Sequence, residues 1–149
     1  MREAFTRTLR QVMGFAQQEA RERHQEFVGT EHLFLAVMRC RDCEAETALR
    51  QMGLNPEKLR EAILKGLPTA SEPPIISGDL PLSPKAQRII NAAIVKAQAL
   101  REDRITTRFL LLSLVDEPQT LIRDVLEEAR GDVNLMRQAL VESPADDED

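Results

Sequence analysis

Tryptophan and tyrosine are absent from this 149-residue chain, and aromatic residues make up only 3% of it. The core must therefore be built from Leu, Ile, Val, Ala, Met and five Phe. An excess of positive charge is also missing. The formal net charge is −5, which argues against a nucleic-acid or anionic-membrane partner on electrostatic grounds. No apolar run approaches the roughly 20 residues needed to span a bilayer. The first residues, Met1-Arg2-Glu3-Ala4, lack the apolar core of a signal peptide, so the expected location is cytoplasmic. A Gly-x-x-x-x-Gly-Lys-Thr/Ser phosphate loop is missing too, and without it the chain cannot by itself hydrolyse ATP in the P-loop manner.

What is present is a duplication. Val28-Gly29-Thr30-Glu31-His32-Leu33-Phe34-Leu35-Ala36-Val37 returns as Ile105-Thr106-Thr107-Arg108-Phe109-Leu110-Leu111-Leu112-Ser113-Leu114, an offset of 77 residues. The same offset carries Thr6 onto Ser83, Ala16 onto Ala93, Ala20 onto Ala97, Leu49 onto Leu126 and Ala62 onto Ala139. An ungapped register of this length means two copies of one small unit.

Each copy reads as four helices. Apolar residues at Leu9, Val12, Met13, Ala16 and Ala20 form one stripe of a helix from Thr6 to about Arg23. Its counterpart starts at Ser83-Pro84, with the hydroxyl as N-cap and proline at the first helical position. Leu33 to Met38 and Phe109 to Leu112 are apolar on every side, which predicts two buried central helices, the first capped by Thr30. Further helices are expected over Glu44 to Met52, Pro56 to Lys65, Gln119 to Ala129 and Asp132 to Val141, with Gly53, Gly131, Asn55 and Asp132 at their ends. Four prolines between Gly66 and Pro81 predict an irregular connector. The expected fold is all-α: two pseudo-symmetric four-helix repeats packed into one domain over residues 1–145. Repeat one covers about 3–65, the connector 66–81 and repeat two about 82–142. Residues 143–149 form an acidic tail, and Asp146-Asp147-Glu148-Asp149 reads as a solvated, frayed end.

Phe5-Thr6, Glu19-Ala20, Gly29-Thr30-Glu31-His32-Leu33, Ala48-Leu49 and Gly53 together resemble the N-terminal repeat domain of Clp-type AAA+ unfoldases, with the ClpC and ClpA branches closest. The resemblance covers roughly residues 3 to 142. It implies a recognition module, without enzymatic activity or cofactor, that receives adaptor proteins or marked substrates for Clp ATPase and protease machinery. The alternative is a free-standing regulator that binds adaptors, substrates or the protease assembly without its own ATPase. ClpC-type members bind phosphorylated arginine, and the glutamates of their Gly-Thr-Glu-His motifs face its guanidinium. The resemblance therefore implies a ligand site at Thr6, Thr30 and Glu31 and a degenerate second site at Ser83, Thr107 and Arg108, where the motif reads Thr106-Thr107-Arg108-Phe109.

Each of these residues also has a plainer role. Glu31 can complement the helix dipole, worth roughly 0.3–1 kcal/mol, or accept a bidentate bond from a substrate guanidinium. Thr6 and Ser83 can be simple N-caps, or can help place an anion near free helix amides. Thr6 with Glu31 is the expected pair at the intact site. Arg108 is either offset by Glu102 or Asp103 and otherwise inert, or it shifts the second site toward acidic or phosphate groups.

Cys40-Arg41-Asp42-Cys43 has the spacing of zinc and redox sites, but it is the sole such pair, and His24 and His32 are the only histidines. Reduced, partly buried thiols are the expectation in a cytosolic chain. His32 reads as a packed, hydrogen-bonded residue, and no serine or cysteine has a recognisable catalytic partner motif.

Overall fold

The structure, a computed structural model, describes residues 4–142 and Glu148. Among the described residues eight helices follow one another: α1 (Arg7–Glu22), α2 (Thr30–Arg39), α3 (Glu44–Gln51), α4 (Pro56–Gly66), α5 (Pro84–Ala99), α6 (Thr107–Asp116), α7 (Leu121–Glu128) and α8 (Val133–Glu142). Their starts are set by side chains that accept otherwise unpaired amides. Thr6 Oγ1 accepts from Leu9 N at 3.1 Å and Ser83 Oγ from Ala86 N at 3.1 Å. Asn55 and Asp132 do the same for α4 and α8. At α2 the N-cap position is Gly29, not Thr30, and at α6 it is Thr106. The amide of Gly29 instead donates to His32 Nδ1 at 2.8 Å, so the third helical residue closes the turn.

The core is layered around α2 and α6, which meet at the centre with every residue from Leu33 to Val37 and from Thr107 to Val115 buried. Helix α1 packs on α2, and α5 packs on α6. The small residues Ala16 and Ala20, like Ala93 and Ala97, are fully buried. Each leucine so placed contributes about 1.5–3 kcal/mol of burial. The repeats also exchange partners, because α3 packs on α6 and α7 on α2. Glu19, wholly buried on α1, is held by Arg60 of α4 at 2.5 Å and by Arg39 of α2 at 3.6 Å, tying three helices through one carboxylate.

Two isolated parallel bridges complete the scaffold, and the sequence pattern did not anticipate them. Phe5 pairs with Ile105, and Val28 pairs with Leu82. Thr6 N donates to Ile105 O at 3.1 Å and Ile105 N to Ala4 O at 2.9 Å; Val28 N donates to Pro81 O at 2.9 Å and Ser83 N to Val28 O at 2.9 Å. The two bridges are related by the same offset as the sequence repeat, so they form a crossed pair about a pseudo-twofold axis. The connector lies against α1, where Gln17 accepts from Leu80 N and donates to Leu80 O, both at 2.8 Å.

The backbone is duplicated more faithfully than the sequence. Left-handed residues fall at His24, Asp42 and Gly53 in the first half and at Arg101, Gln119 and Arg130 in the second, again 77 residues apart. The left-handed residue after α7 is therefore Arg130, at φ 62°, rather than the neighbouring Gly131. A side chain in this region costs roughly 1–2 kcal/mol that glycine avoids. Arg130→Gly is expected to raise the unfolding free energy by about 1 kcal/mol, offset in part by the added freedom of the unfolded chain; chemical denaturation measures it, and an unchanged or lower midpoint contradicts the reading.

Candidate functional site

The crossed bridges decide which residues share a site. The Val28–Leu82 bridge sets the start of α2 beside the start of α5, so Thr30 and Glu31 lie with Ser83. The Phe5–Ile105 bridge sets the start of α1 beside that of α6, so Thr6 lies with Thr107 and Arg108. The expected pairing of Thr6 with Glu31 is thus corrected. Each site is built from both repeats, with the anion-favouring helix start coming from one copy and the motif from the other. A repeat read in isolation carries no sign of this exchange.

The first site is an open groove of about 920 Å³. Gly29, Thr30, Glu31 and His32 form one wall, and Ser83 and Lys85 stand at its α5 end. The connector supplies Leu67, Pro68, Pro73 and Ile75. Glu31 is half-buried, and the Thr30 hydroxyl donates to its Oε2, which fixes the carboxylate against the helix start. Ser83 Oγ is already an acceptor for Ala86 N, so its proton is free to point outward. Phe27 and Ile75 expose apolar surface on the same groove, at 49% and 103%. The groove therefore offers a carboxylate, a positive helix end and apolar area side by side.

His32 is buried, and its Nδ1 accepts from Gly29 N, so the ring is neutral with its proton on Nε2. Burial lowers its pKa below the usual 6.5, and Arg23 adds to this against the opposing effects of Glu31 and Glu19. It is a packing and capping residue.

The second site is smaller, about 260 Å³, and its chemistry differs. Arg108 does not project from the helix start but turns inward and is 2% exposed. Its Nη1 donates to Leu140 O at 2.8 Å and its Nη2 to Glu102 Oε1 at 3.2 Å. Its Nε lies 3.5 Å from Glu44 Oε2, and the guanidinium stands over the Phe109 ring at 4.4 Å. Of the two acids expected to offset Arg108, Glu102 and Asp103, the pair formed is with Glu102; Glu44, from the other repeat, was not expected. The expected solvated tail is also corrected at Glu148. This half-buried side chain accepts from Thr107 N and Oγ1, Glu44 N and Thr6 Oγ1, because the convergent helix starts supply donors that a carboxylate satisfies. Asp146, Asp147 and Asp149 lie outside the described residues.

Cys40 and Cys43 are both free and buried; the Cys40 thiol donates to Arg41 O at 3.8 Å, and Cys43 Sγ accepts from Glu46 N at 3.5 Å. Interaction with Cys40 holds the Cys43 thiol below its ordinary value, while the same interaction and burial push Cys40 up. His24 and His32 line the first groove instead of approaching this pair. Among the described residues no group of three or more His, Cys, Asp or Glu side chains comes together as a metal site.

The duplicated helical unit and its paired motifs match the family model of the Clp repeat N-terminal domain over residues 4–100 and 81–146. The chain belongs to this family. Among curated proteins it is 30% identical over 141 residues to an ATP-dependent Clp protease ATP-binding subunit ClpA homolog of Cyanidium caldarium, covering 95% of this chain and 16% of that protein. Identity is also 30% to the chloroplastic chaperone protein ClpC1 of Oryza sativa subsp. japonica, with 95% and 15% covered. This Clp N-terminal domain thus spans about a sixth of the length of these relatives. The solved N-terminal domain of the caseinolytic protease associated chaperone ClpD from Arabidopsis thaliana shares the fold at a TM-score of 0.74 and 21% identity, with 93% of each chain covered. The Hsp104 N-terminal domain from Candida albicans does so at 0.78 and 16%, covering 93% of this chain and 89% of that one. A ClpV N-domain solved in complex with a VipB peptide aligns at 0.73 and 13%, with 94% and 86% covered. Among the described residues no helix of this domain is long and apolar enough to cross a membrane.

Two outcomes follow from this geometry. Unfolded His32 titrates near 6.5 and the folded ring lower, so the unfolded state binds more protons between the two. Its contribution is complete above the unfolded value and is lost as pH falls through the folded one. Melting temperature should drop more steeply from about pH 7.5 to 5.5 in the native domain than in His32→Gln, which keeps an acceptor but does not titrate. Arg108→Glu should cost toward the lower end of about 3–5 kcal/mol, because the new carboxylate faces Glu44 while Glu102 retains access to water. Denaturant unfolding of the variant measures that loss, and native-like stability contradicts the buried-clamp role.

Proposed function

We propose that this domain is a non-enzymatic recognition module of a Clp-type ATP-dependent unfoldase and protease system, acting in the cytoplasm on substrates or adaptor proteins. The observation that carries the reading is the composite groove in which Glu31 of one repeat stands beside the α5 start and Ser83 of the other. A carboxylate next to a helix N-terminus suits a ligand that carries both signs, because the guanidinium pairs with the former and an attached phosphate with the latter. Phosphoarginine has this composition, and the family resemblance of the Gly29-Thr30-Glu31-His32 motif supports it. The exposed apolar surface of Phe27 and Ile75 supports binding of the surrounding polypeptide as well as the mark. The VipB peptide held by the ClpV N-domain supports a peptide-binding use of the same fold.

The second site does not share this chemistry. Its motif carboxylate is replaced by Arg108, whose charge is spent on Glu44, Glu102 and the end of α8. Phosphoarginine recognition is therefore assigned to the first groove alone.

Calorimetric titration with free phosphoarginine tests the assignment. The native domain should bind with one site per chain. Glu31→Gln should weaken binding by about tenfold or more, the loss of one charge-assisted bond of roughly 1.5–3 kcal/mol. Thr107→Val should leave binding unchanged. Absence of binding by the native domain, or an unaltered affinity in Glu31→Gln, overturns the phosphoarginine reading.

A further inference from the structure

We propose that the pocket between the starts of α1, α3 and α6 is a carboxylate receptor that Glu148 fills in cis, and that withdrawing Glu148 opens it to an acidic side chain of a partner peptide. Glu148 Oε1 accepts from Glu44 N at 3.1 Å and from Thr107 Oγ1 at 2.5 Å. Its Oε2 accepts from Thr107 N at 2.7 Å and from Thr6 Oγ1 at 2.9 Å. Two donors on each oxygen use the full acceptor capacity of a planar carboxylate. Three helix starts converge on it, and each favours negative charge.

The donors are aimed by bonds made elsewhere. Thr6 Oγ1 accepts from Leu9 N, and Thr107 Oγ1 accepts from Ala45 N at 3.1 Å, so both hydroxyl protons are left to point into the pocket. With Glu148 seated, Thr6 and Thr107 are wholly buried, so its carboxylate is what satisfies their donors. The pocket thus suits an anion, and the chain supplies one of its own.

Selectivity for a carboxylate over phosphate follows from the donor count, since four donors saturate two planar oxygens and none is left for a third. Glu44 Oε2, bonded by Thr106 Oγ1 at 2.5 Å, lines the adjoining pocket together with Arg101, Arg104 and Arg108. The guanidinium of Arg108 offsets Glu44 from the opposite side and is already occupied by the carbonyls of Leu140 and Val141. Those carbonyls belong to the last turn of α8, so Arg108 also fixes the point from which the chain leads on to Glu148. The substitution that removes a guanidinium-binding acid thereby helps present an internal acid.

Tethering gives Glu148 an effective concentration on the order of millimolar, so at an intrinsic Kd of about 0.1 mM the apparent affinity of a free competitor falls by about tenfold. The test uses the full chain and its Glu148→Gln variant, followed by amide NMR. In the native chain the Thr107 and Glu44 amides should be protected from hydrogen exchange at least about tenfold more than in the variant. Titration with the synthetic peptide acetyl-Asp-Asp-Glu-Asp-amide should shift both amides saturably in Glu148→Gln and about tenfold less readily in the native chain. Inorganic phosphate at equal concentration should compete weakly. Glu148→Asp keeps the carboxylate and should restore part of the protection. Identical Thr107 and Glu44 amides in native and Glu148→Gln chains overturn the cis occupancy. Tighter binding of phosphate than of the peptide overturns the carboxylate selectivity.

Discussion

The crossed pair of backbone bridges, Phe5 with Ile105 and Val28 with Leu82, is the constraint on which the rest of this domain depends. Each bridge is only a few hydrogen bonds, yet it joins the segment leading into a long outer helix of one repeat to the segment leading into the central helix of the other. Neither repeat can then bury its central helix alone, and neither can complete a site alone. The exchange of α3 onto α6 and α7 onto α2 follows the same symmetry, so the hydrophobic core and the two sites are joined by one geometric relation.

Within that shared frame the copies have separated at the motif by an exchange of charge, Glu31 against Arg108. In the first, Glu31 remains half-buried at an open groove, braced by Thr30. In the second, Arg108 cannot be left at a helix start without opposing the dipole, and it folds inward onto Glu44, Glu102, Phe109 and the α8 carbonyls. The neighbouring donors of Thr6 and Thr107 are met by Glu148.

Much of the scaffold was legible in the residues. The all-α class, the eight helices and the caps at Thr6, Ser83, Asn55 and Asp132 follow from periodicity and from side chains that compete for helix amides. Membership of the Clp repeat N-terminal domain family rests on the same duplicated motif. Less legible were features that short-range rules do not encode. Arg130, His24 and Arg101 adopt left-handed conformations that composition alone assigns to glycine, because the duplicated turn dictates their backbone. The tail was read as solvated because acidic runs usually are, and no local signal distinguishes Glu148 from the aspartates around it.

The sequence by itself determined what the units are: two copies, four helices each, one motif intact and one altered at Arg108. Local propensity and apolar spacing suffice for that, since both act within a few residues. Which copy completes which site was decided only by the tertiary structure. Pairing of Thr6 with Thr107, and of Ser83 with Glu31, depends on backbone hydrogen bonds between segments about a hundred and about fifty residues apart, and a residue's sequence neighbours exert no force that selects such a partner.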